Sequence, residues 1–212
     1  IGSGRSWGVG LLPLGFARFV GANAADLADV VCDGFAPGPF SAFAPLAEQL
    51  FGPEPDEAAE LSRITAWFAE LLRQRSGQEE QIEAVHAALV DPDVVSVADF
   101  AARARLGVRT LERVCARVFG FSPKLLLRRQ RFMRSLSQYM LDPSLKWIGA
   151  MDTSYHDQAQ FVREFRQFMG TSPSQYARLD HPVLDAVVRE RARFLGAAVQ
   201  TLSPPGGAAR GI

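Results

Sequence analysis

The chain has 212 residues, 48% of them hydrophobic and 22% charged, and its formal net charge is zero. No run reaches the ~18 apolar residues that cross a bilayer and no basic-then-apolar leader opens the chain, so a cytoplasmic protein without a membrane partner is expected. Two cysteines, Cys32 and Cys115, are too few for a disulfide framework. His86, His156 and His181 match no metal-ligand spacing, so neither metal nor cofactor is expected.

Residues 6–20 place Trp7, Val9, Leu11 and Leu12 ahead of Pro13, Phe16, Phe19 and Val20, with Gly interspersed, and predict one or two short strands or irregular chain. Residues 24–31 fit a short helix or a turn, and Phe35-Ala36-Pro37-Gly38-Pro39 a loop. A short helix is expected over 43–51, ended by Gly52-Pro53-Glu54-Pro55. The clearest helix of this half covers 56–75, where Leu61, Ile64, Phe68, Leu71 and Leu72 recur at helical spacing with Glu early and Arg late. That stripe suits a core or a face packed against a second chain. Ser76-Gly77 breaks the helix, and 78–90 forms another with Ile82, Val85 and Leu89 on one side.

The rest is organised by a repeat. Leu111, Arg113, Gly120, Ser122 and Pro123 recur fifty residues later as Phe161, Arg163, Gly170, Ser172 and Pro173, which marks a duplicated supersecondary unit. Each copy reads as helix, tight turn, helix. In the first, Ser96 is the N-cap of a helix carrying Val97, Phe100, Ala101 and Ala104. Residues 105–107 turn, and a second helix over 108–119 stops at Gly120, a C′ glycine. In the second copy Trp147, Ile148 and Met151 mark the first helix and 152–156 the turn. Asp157 caps a helix that stops at Gly170. Ala101 and Ala150, forty-nine apart, are small enough for two helices to cross closely. Residues 123–140 form a linker helix bearing Arg128, Arg129, Arg131 and Arg134, which face either phosphates or solvent. A last helix over 183–202, apolar at Leu184, Val187, Val188, Phe194 and Leu195, packs on the N-terminal part or supports a dimer, and the Pro/Gly-rich 203–212 is expected to be disordered.

The second helix of each copy has two faces. Leu111, Val114, Cys115 and Val118 form an inner stripe, with Arg109, Glu112, Arg113 and Ala116 off it. Phe161, Phe165 and Phe168 point inward; Gln158, Ala159, Val162, Arg163 and Arg166 point out. Arg can bond guanine bidentately in the major groove, and Gln adenine. A merely solvated face would also be polar, but Arg at the same place behind two tight turns argues for readout. The base-contact candidates are Arg109, Glu112 and Arg113 in the first unit and Gln158, Gln160 and Arg163 in the second. Arg117, Arg166 and Lys124 are the phosphate candidates. Charge is segregated to match. Residues 96–180 hold fourteen Lys or Arg against seven Asp or Glu, or +7, which leaves −7 on the remainder.

The run Ala101-x-x-x-Arg105, Leu111-x-Arg113, Gly120-Phe121-Ser122-Pro123 resembles the first half of the AraC/XylS DNA-binding domain. Ala150-x-x-x-Ser154-Tyr155-x-Asp157-Gln158-x-x-Phe161-x-Arg163-x-Phe165 with Gly170-Thr171-Ser172-Pro173-x-x-Tyr176 resembles the second, the family's signature. The likeness covers about 80–178 and implies seven helices, two helix-turn-helix units joined by the linker helix, and a transcription regulator. The sequence departs at Arg105 and Ser154, where the family has its turn glycine, and at Gly107, where it has an N-cap Ser. Residues 7–75 resemble the tail of a sensor domain in one branch of the family, through Leu12-Pro13-x-Gly15-Phe16-Ala17 and the acidic segment after it. The expected fold is therefore mainly α, a double helix-turn-helix domain preceded by a small partial α+β sensor-like region. The expected divisions are 5–76 for that region, 78–180 for the DNA-binding domain, 183–202 for the C-terminal helix and 203–212 for the tail.

The expected function is sequence-specific binding of double-stranded DNA without catalysis. RNA polymerase, an unidentified small-molecule effector and a second copy of the chain are further candidate partners. The alternative is a DNA-repair or DNA-modifying enzyme that uses the domain for targeting. It would need a reactive Cys cluster or a catalytic carboxylate, and residues 1–95 hold only Cys32 and no paired acid with a nearby His.

Overall fold

The computed structural model describes residues 5–72 and 77–195. The expected tail over 203–212, the end of the last helix to 202 and the break at Ser76 lie outside them. The described residues hold helices and connecting chain and no strand. The small α+β region expected over 5–76 is thereby overturned. The physical reason lies at Pro13. It occupies the first helical position of α1 (Pro13–Phe19), where its missing N–H forfeits no hydrogen bond and its ring presets φ. Phe16, Phe19 and Val20 then follow at spacings of three and four, which suit a helix and not an alternating strand.

The chain divides into two compact units, Ile1–Glu83 with Glu112–Phe121, and Ala84–Leu111 with Ser122–Ile212. In the first unit α1 is followed by a short 3-10 turn, Ala24–Asp26, and then by α2 (Ala44–Leu50) and α3 (Glu57–Leu71). Asp56 caps α3 by accepting from the amide of Ala59. The expected stripe of α3 is only half covered. Ile64 is buried, whereas Leu61 and Leu72 are exposed. The covered face instead includes Glu60, whose carboxylate takes the indole N–H of Trp7 at 2.7 Å and pairs with Arg5 at 2.8 Å. The Trp7 hydrogen bond, with Arg5 beside it, holds that carboxyl below its usual range against the opposing effect of burial. Arg18 ties α1 to the first turn of α4 (Glu79–Val90) through a fork of 2.9 and 2.6 Å to Glu79.

α1 and the Ala24–Asp26 turn both pack on residues 115–119. These follow α6 (Val108–Val114) as a single wider, π-type turn, which ends at Gly120 with φ +80°. A Cβ at Gly120 would stand 2.8 Å from the carbonyl oxygen of Ala24, so this glycine is required twice, by its backbone angle and by the close approach.

In the second unit, Ser96 forms a reciprocal capping box with Asp99 at the start of α5 (Val97–Arg103). Phe100, Ala101 and Ala104 are buried. α7 (Pro123–Leu141) is the linker helix and starts from the Ser122 cap. It carries α8 (Lys146–Ala150) and α9 (Gln158–Met169), and α10 (Pro173–Tyr176) packs on α9. Their shared core is Phe132, Leu136, Met140, Tyr155, Phe161, Phe165 and Tyr176. Trp147 stacks on Tyr139 with centroids 3.7 Å apart and donates its indole N–H to the Pro173 carbonyl at 3.0 Å, joining α8 to α10. Ile148, one of the apolar residues that mark this helix in the sequence, is exposed. α11 (Pro182–Leu195) packs on α7 through Leu184 and Val188, while Val187 faces solvent. This packing on the linker helix is a contact that neither alternative drawn for the helix named.

Three left-handed positions make a graded test. Gly170 has φ +68° with nothing within 4 Å of its notional Cβ, and Arg105 adopts φ +56°. Gly170→Ala is expected to lower stability by about 1 kcal/mol from backbone strain alone. Gly120→Ala, which adds a clash with backbone, should cost about 3 kcal/mol. Arg105→Gly should raise stability by up to about 1 kcal/mol. Urea unfolding of the three variants measures the order; equal losses at Gly120 and Gly170 would refute the close approach.

Candidate nucleic-acid interface

Each unit of the repeat presents one helix with a buried and an exposed face. On α6 and the turn after it, Leu111, Val114, Cys115 and Val118 are buried as the spacing requires. Burial pushes the Cys115 thiol up to about 12, which makes it a packing group and no nucleophile at neutral pH. Arg109, Glu112, Arg113 and Arg117 are exposed, and their side chains have no ion-pair or hydrogen-bond partner among the described residues. The helix starts at Gly107, whose carbonyl accepts from the amide of Leu111 at 3.0 Å but which has no side chain to cap the first turn. Arg105 holds the left-handed conformation that a turn glycine would adopt without strain. Ser154, its counterpart in the second turn, is not left-handed, so the two departures from the family pattern differ physically.

α9 starts at Asp157, whose carboxylate accepts from the amide of Gln160 at 2.6 Å, and ends at the left-handed Gly170. Phe161 and Phe165 are buried and Phe168 is half-buried against the same core. Gln158, Ala159, Arg163 and Arg166 are exposed, as expected from the spacing. Gln158, Arg163 and Arg166 have no side-chain partner among the described residues. Two side chains differ from the sequence reading. Val162 is half-buried against the core. Gln160 turns back, its Oε1 accepting from the amide of His156 at 3.2 Å, so part of its hydrogen-bonding capacity is spent on the start of its own helix. Lys124 is exposed on the first turn of α7.

The linker-helix arginines have a different role from either one expected. Arg128 Nε and Arg131 Nη2 both donate to Glu164 Oε1, at 3.0 and 2.7 Å, and the Tyr155 hydroxyl donates to Oε2 at 3.0 Å. Arg128 also reaches Gln167 at 2.5 Å, and Arg131 lies over the Tyr155 ring at 4.3 Å. Arg134 pairs with Asp152 at 2.5 Å, and the Asp152 amide donates to Ser135 Oγ at 2.9 Å. These groups pin α9 and the turn before it to α7. Glu164 is the functional residue that the sequence reading missed. It stands three residues after Phe161 and one before Phe165, at the edge of the inner stripe, and Arg128 and Arg131 stand at i and i+3 on the linker helix. A charge at that register was the available signal.

Burial would raise the Glu164 carboxyl, but the hydrogen bonds from Arg131 and Arg128 outweigh it and hold it below the usual range. Asp152 is likewise held low against burial by Arg134 and Ser154. Both are folded-state values below those of the unfolded chain, so their stabilisation is complete above about pH 4 to 5 and lost as pH falls through the folded values. Urea unfolding should therefore show stability level from pH 7 to about 5 and falling below about 4. Glu164→Gln combined with Asp152→Asn should flatten that fall. Glu164→Ala at neutral pH should cost about 3 kcal/mol by leaving two guanidinium groups uncompensated, and Tyr155→Phe only about 1 kcal/mol.

No helix among the described residues is long and apolar enough to cross a membrane. No curated protein and no solved structure matches this chain. A family model described as "Helix-turn-helix domain" matches residues 100–179. The match runs from within α5 to just beyond α10 and takes in most of the first copy of the repeat and all of the second, so a helix-turn-helix domain is present there, consistent with a DNA-binding regulator.

Proposed function

We propose that this chain is a transcriptional regulator of the AraC/XylS type that binds duplex DNA in a sequence-specific way, with α6 and α9 as recognition helices entering two successive major grooves roughly 34 Å apart. It acts by binding and not by catalysis. The observation that carries the reading is the repeated frame. Two helices sit behind tight turns, both end at a left-handed Gly followed by a capping Ser and a Pro, and both expose an unpartnered Arg at the equivalent position, Arg113 and Arg163. An asymmetric site follows from the neighbours. Arg109 and Glu112 flank Arg113, whereas Ala159 offers a methyl group beside Arg163. Gln158 joins Arg163 in base readout, and Gln160 does so only by leaving its bond to His156. Arg117, Arg166 and Lys124 are assigned to phosphates. As a regulator in the cytoplasm the protein would meet RNA polymerase, and a small-molecule effector or a second copy of the chain would tune it.

Selection from a random duplex library should return one asymmetric site. On that site Arg113→Ala and Arg163→Ala should each cost about 1–3 kcal/mol and relax specificity at a separate set of positions, read from binding to a panel of single-base changes. Equal loss on every sequence would show that neither side chain reads bases. Affinity should also fall steeply as salt rises, because phosphate contacts release counterions; binding that is flat with salt would count against the whole reading.

A further inference from the structure

The second unit contains a groove of about 610 Å³, bounded by the residues before and at the start of α5, by α7 and by α9. This volume falls in the range of small-molecule sites. Its lining is two-sided. Val95, Val97 and Leu127 supply an apolar wall, and five cations supply a basic one. Three of those cations, Arg128, Arg131 and Arg134, are engaged by Glu164 and Asp152. The other two, Lys124 and Arg163, come from different helices and have no acceptor among the described residues. Glu164 is the only acidic residue in the lining, and it is already shared between two guanidinium groups.

We infer that this groove is an oxyanion site, in which Lys124 and Arg163 hold a carboxylate or phosphate group while the apolar wall of Val95, Val97 and Leu127 takes the body that carries it. Two free donors facing one basic, partly apolar cavity call for an acceptor with delocalised negative charge, and carboxylate and phosphate both have that chemistry. Lys124 lies on the linker helix and Arg163 on α9. An oxyanion bridging them therefore occupies the same side of α9 that Arg128 and Arg131 grip through Glu164, and its binding is coupled to the seating of that helix. The oxyanion can come from a free amphipathic acid or from a phosphodiester of duplex DNA. An oxyanion held by Arg163 takes that side chain from the base contact proposed for it, so a free acid in the groove and cognate DNA compete for Arg163.

The test is a titration of the full chain with inorganic phosphate and, separately, with hexanoate, at ionic strength held constant with sodium chloride, following the methyl resonances of Val95, Val97 and Leu127. At least one of the two is expected to saturate these signals where chloride does not. Lys124→Ala should weaken that binding about tenfold, Lys124→Arg should restore it, and Arg163→Ala should weaken it similarly. Lys124 is exposed, so its variants are expected to fold; the dispersed methyl spectrum checks this. A non-cognate duplex then separates the sources, since it displaces the probe if the natural oxyanion is a phosphodiester and leaves it bound if the natural ligand is a free acid. Shifts that never saturate, or that are the same in Lys124→Ala, overturn the inference. Saturation by a probe in a protein that binds no duplex at all would keep the groove and sink the proposed function instead.

Discussion

The second half of the molecule depends on one buried carboxylate. Glu164 is 5% exposed and accepts from two guanidinium groups and a phenol. A buried carboxylate without partners would be costly enough to protonate or to unfold its surroundings. With these three donors it becomes a fixed point on the inner edge of α9. The aromatic core alone would leave α9 some freedom to roll, because edge-to-face ring contacts tolerate small rotations. Two charge-assisted bonds from α7 to a single oxygen do not. The linker helix thus sets how α9 presents Arg163 and Arg166, and the exposed chemistry follows from the buried one.

Much of this could be read from the chain alone, and the parts that could not share a cause. The left-handed Gly120 and Gly170, the caps at Ser96 and Asp157, and the inner stripe of Leu111, Val114, Cys115 and Val118 are all local. Turn chemistry and helical periodicity decide them within a few residues. The misses are positions where a partner far along the chain decides. Arg128 reads as a surface cation until Glu164, thirty-six residues later, comes within 3.0 Å. Glu60 reads as the exposed acid of an amphipathic helix until Trp7, fifty-three residues earlier, donates to it. Leu12-Pro13 reads as extended chain because a proline among glycines is a turn signal, yet at the first position of a helix the same residue is a start signal.

The second helices of the two repeat copies are also built differently, although the repeat makes them look alike in sequence. α9 is regular from its Asp157 cap to Gly170. α6 has no side-chain acceptor at Gly107 and widens after Val114 into a π-type turn, against which α1 and the Ala24–Asp26 turn pack. Wider turns of this kind are uncommon and cluster at functional positions. Here the widening holds Gly120 against the carbonyl of Ala24, so residues outside the repeat brace the end of the first segment. The first segment lacks the side-chain cap that Asp157 gives the second and is braced at its C-terminal end.

Burial of the linker arginines changes what the charge of the basic half means. Counted from sequence, residues 96–180 carry +7, but Arg128, Arg131 and Arg134 have their charge opposed by Glu164 and Asp152 at hydrogen-bond distance. The Arg134–Asp152 pair acts on a distant phosphate as a dipole, whose field fades faster than that of a free charge, while Arg128 and Arg131 share one carboxylate and keep one positive charge in excess. The cations that remain free to act on a polyanion are those without partners among the described residues, including Arg109, Arg113, Arg117, Lys124, Arg163 and Arg166. Those six lie on α6 and the turn after it, on α9 and at the first turn of the linker helix, while Arg105, Lys146 and Arg178 are equally free among the described residues and lie outside these segments. On the proposed function, part of the attraction to DNA would arise where the sequence-dependent contacts form. The same charges that draw the duplex in would also orient it, which is how a domain of modest net charge can favour one docking arrangement over many.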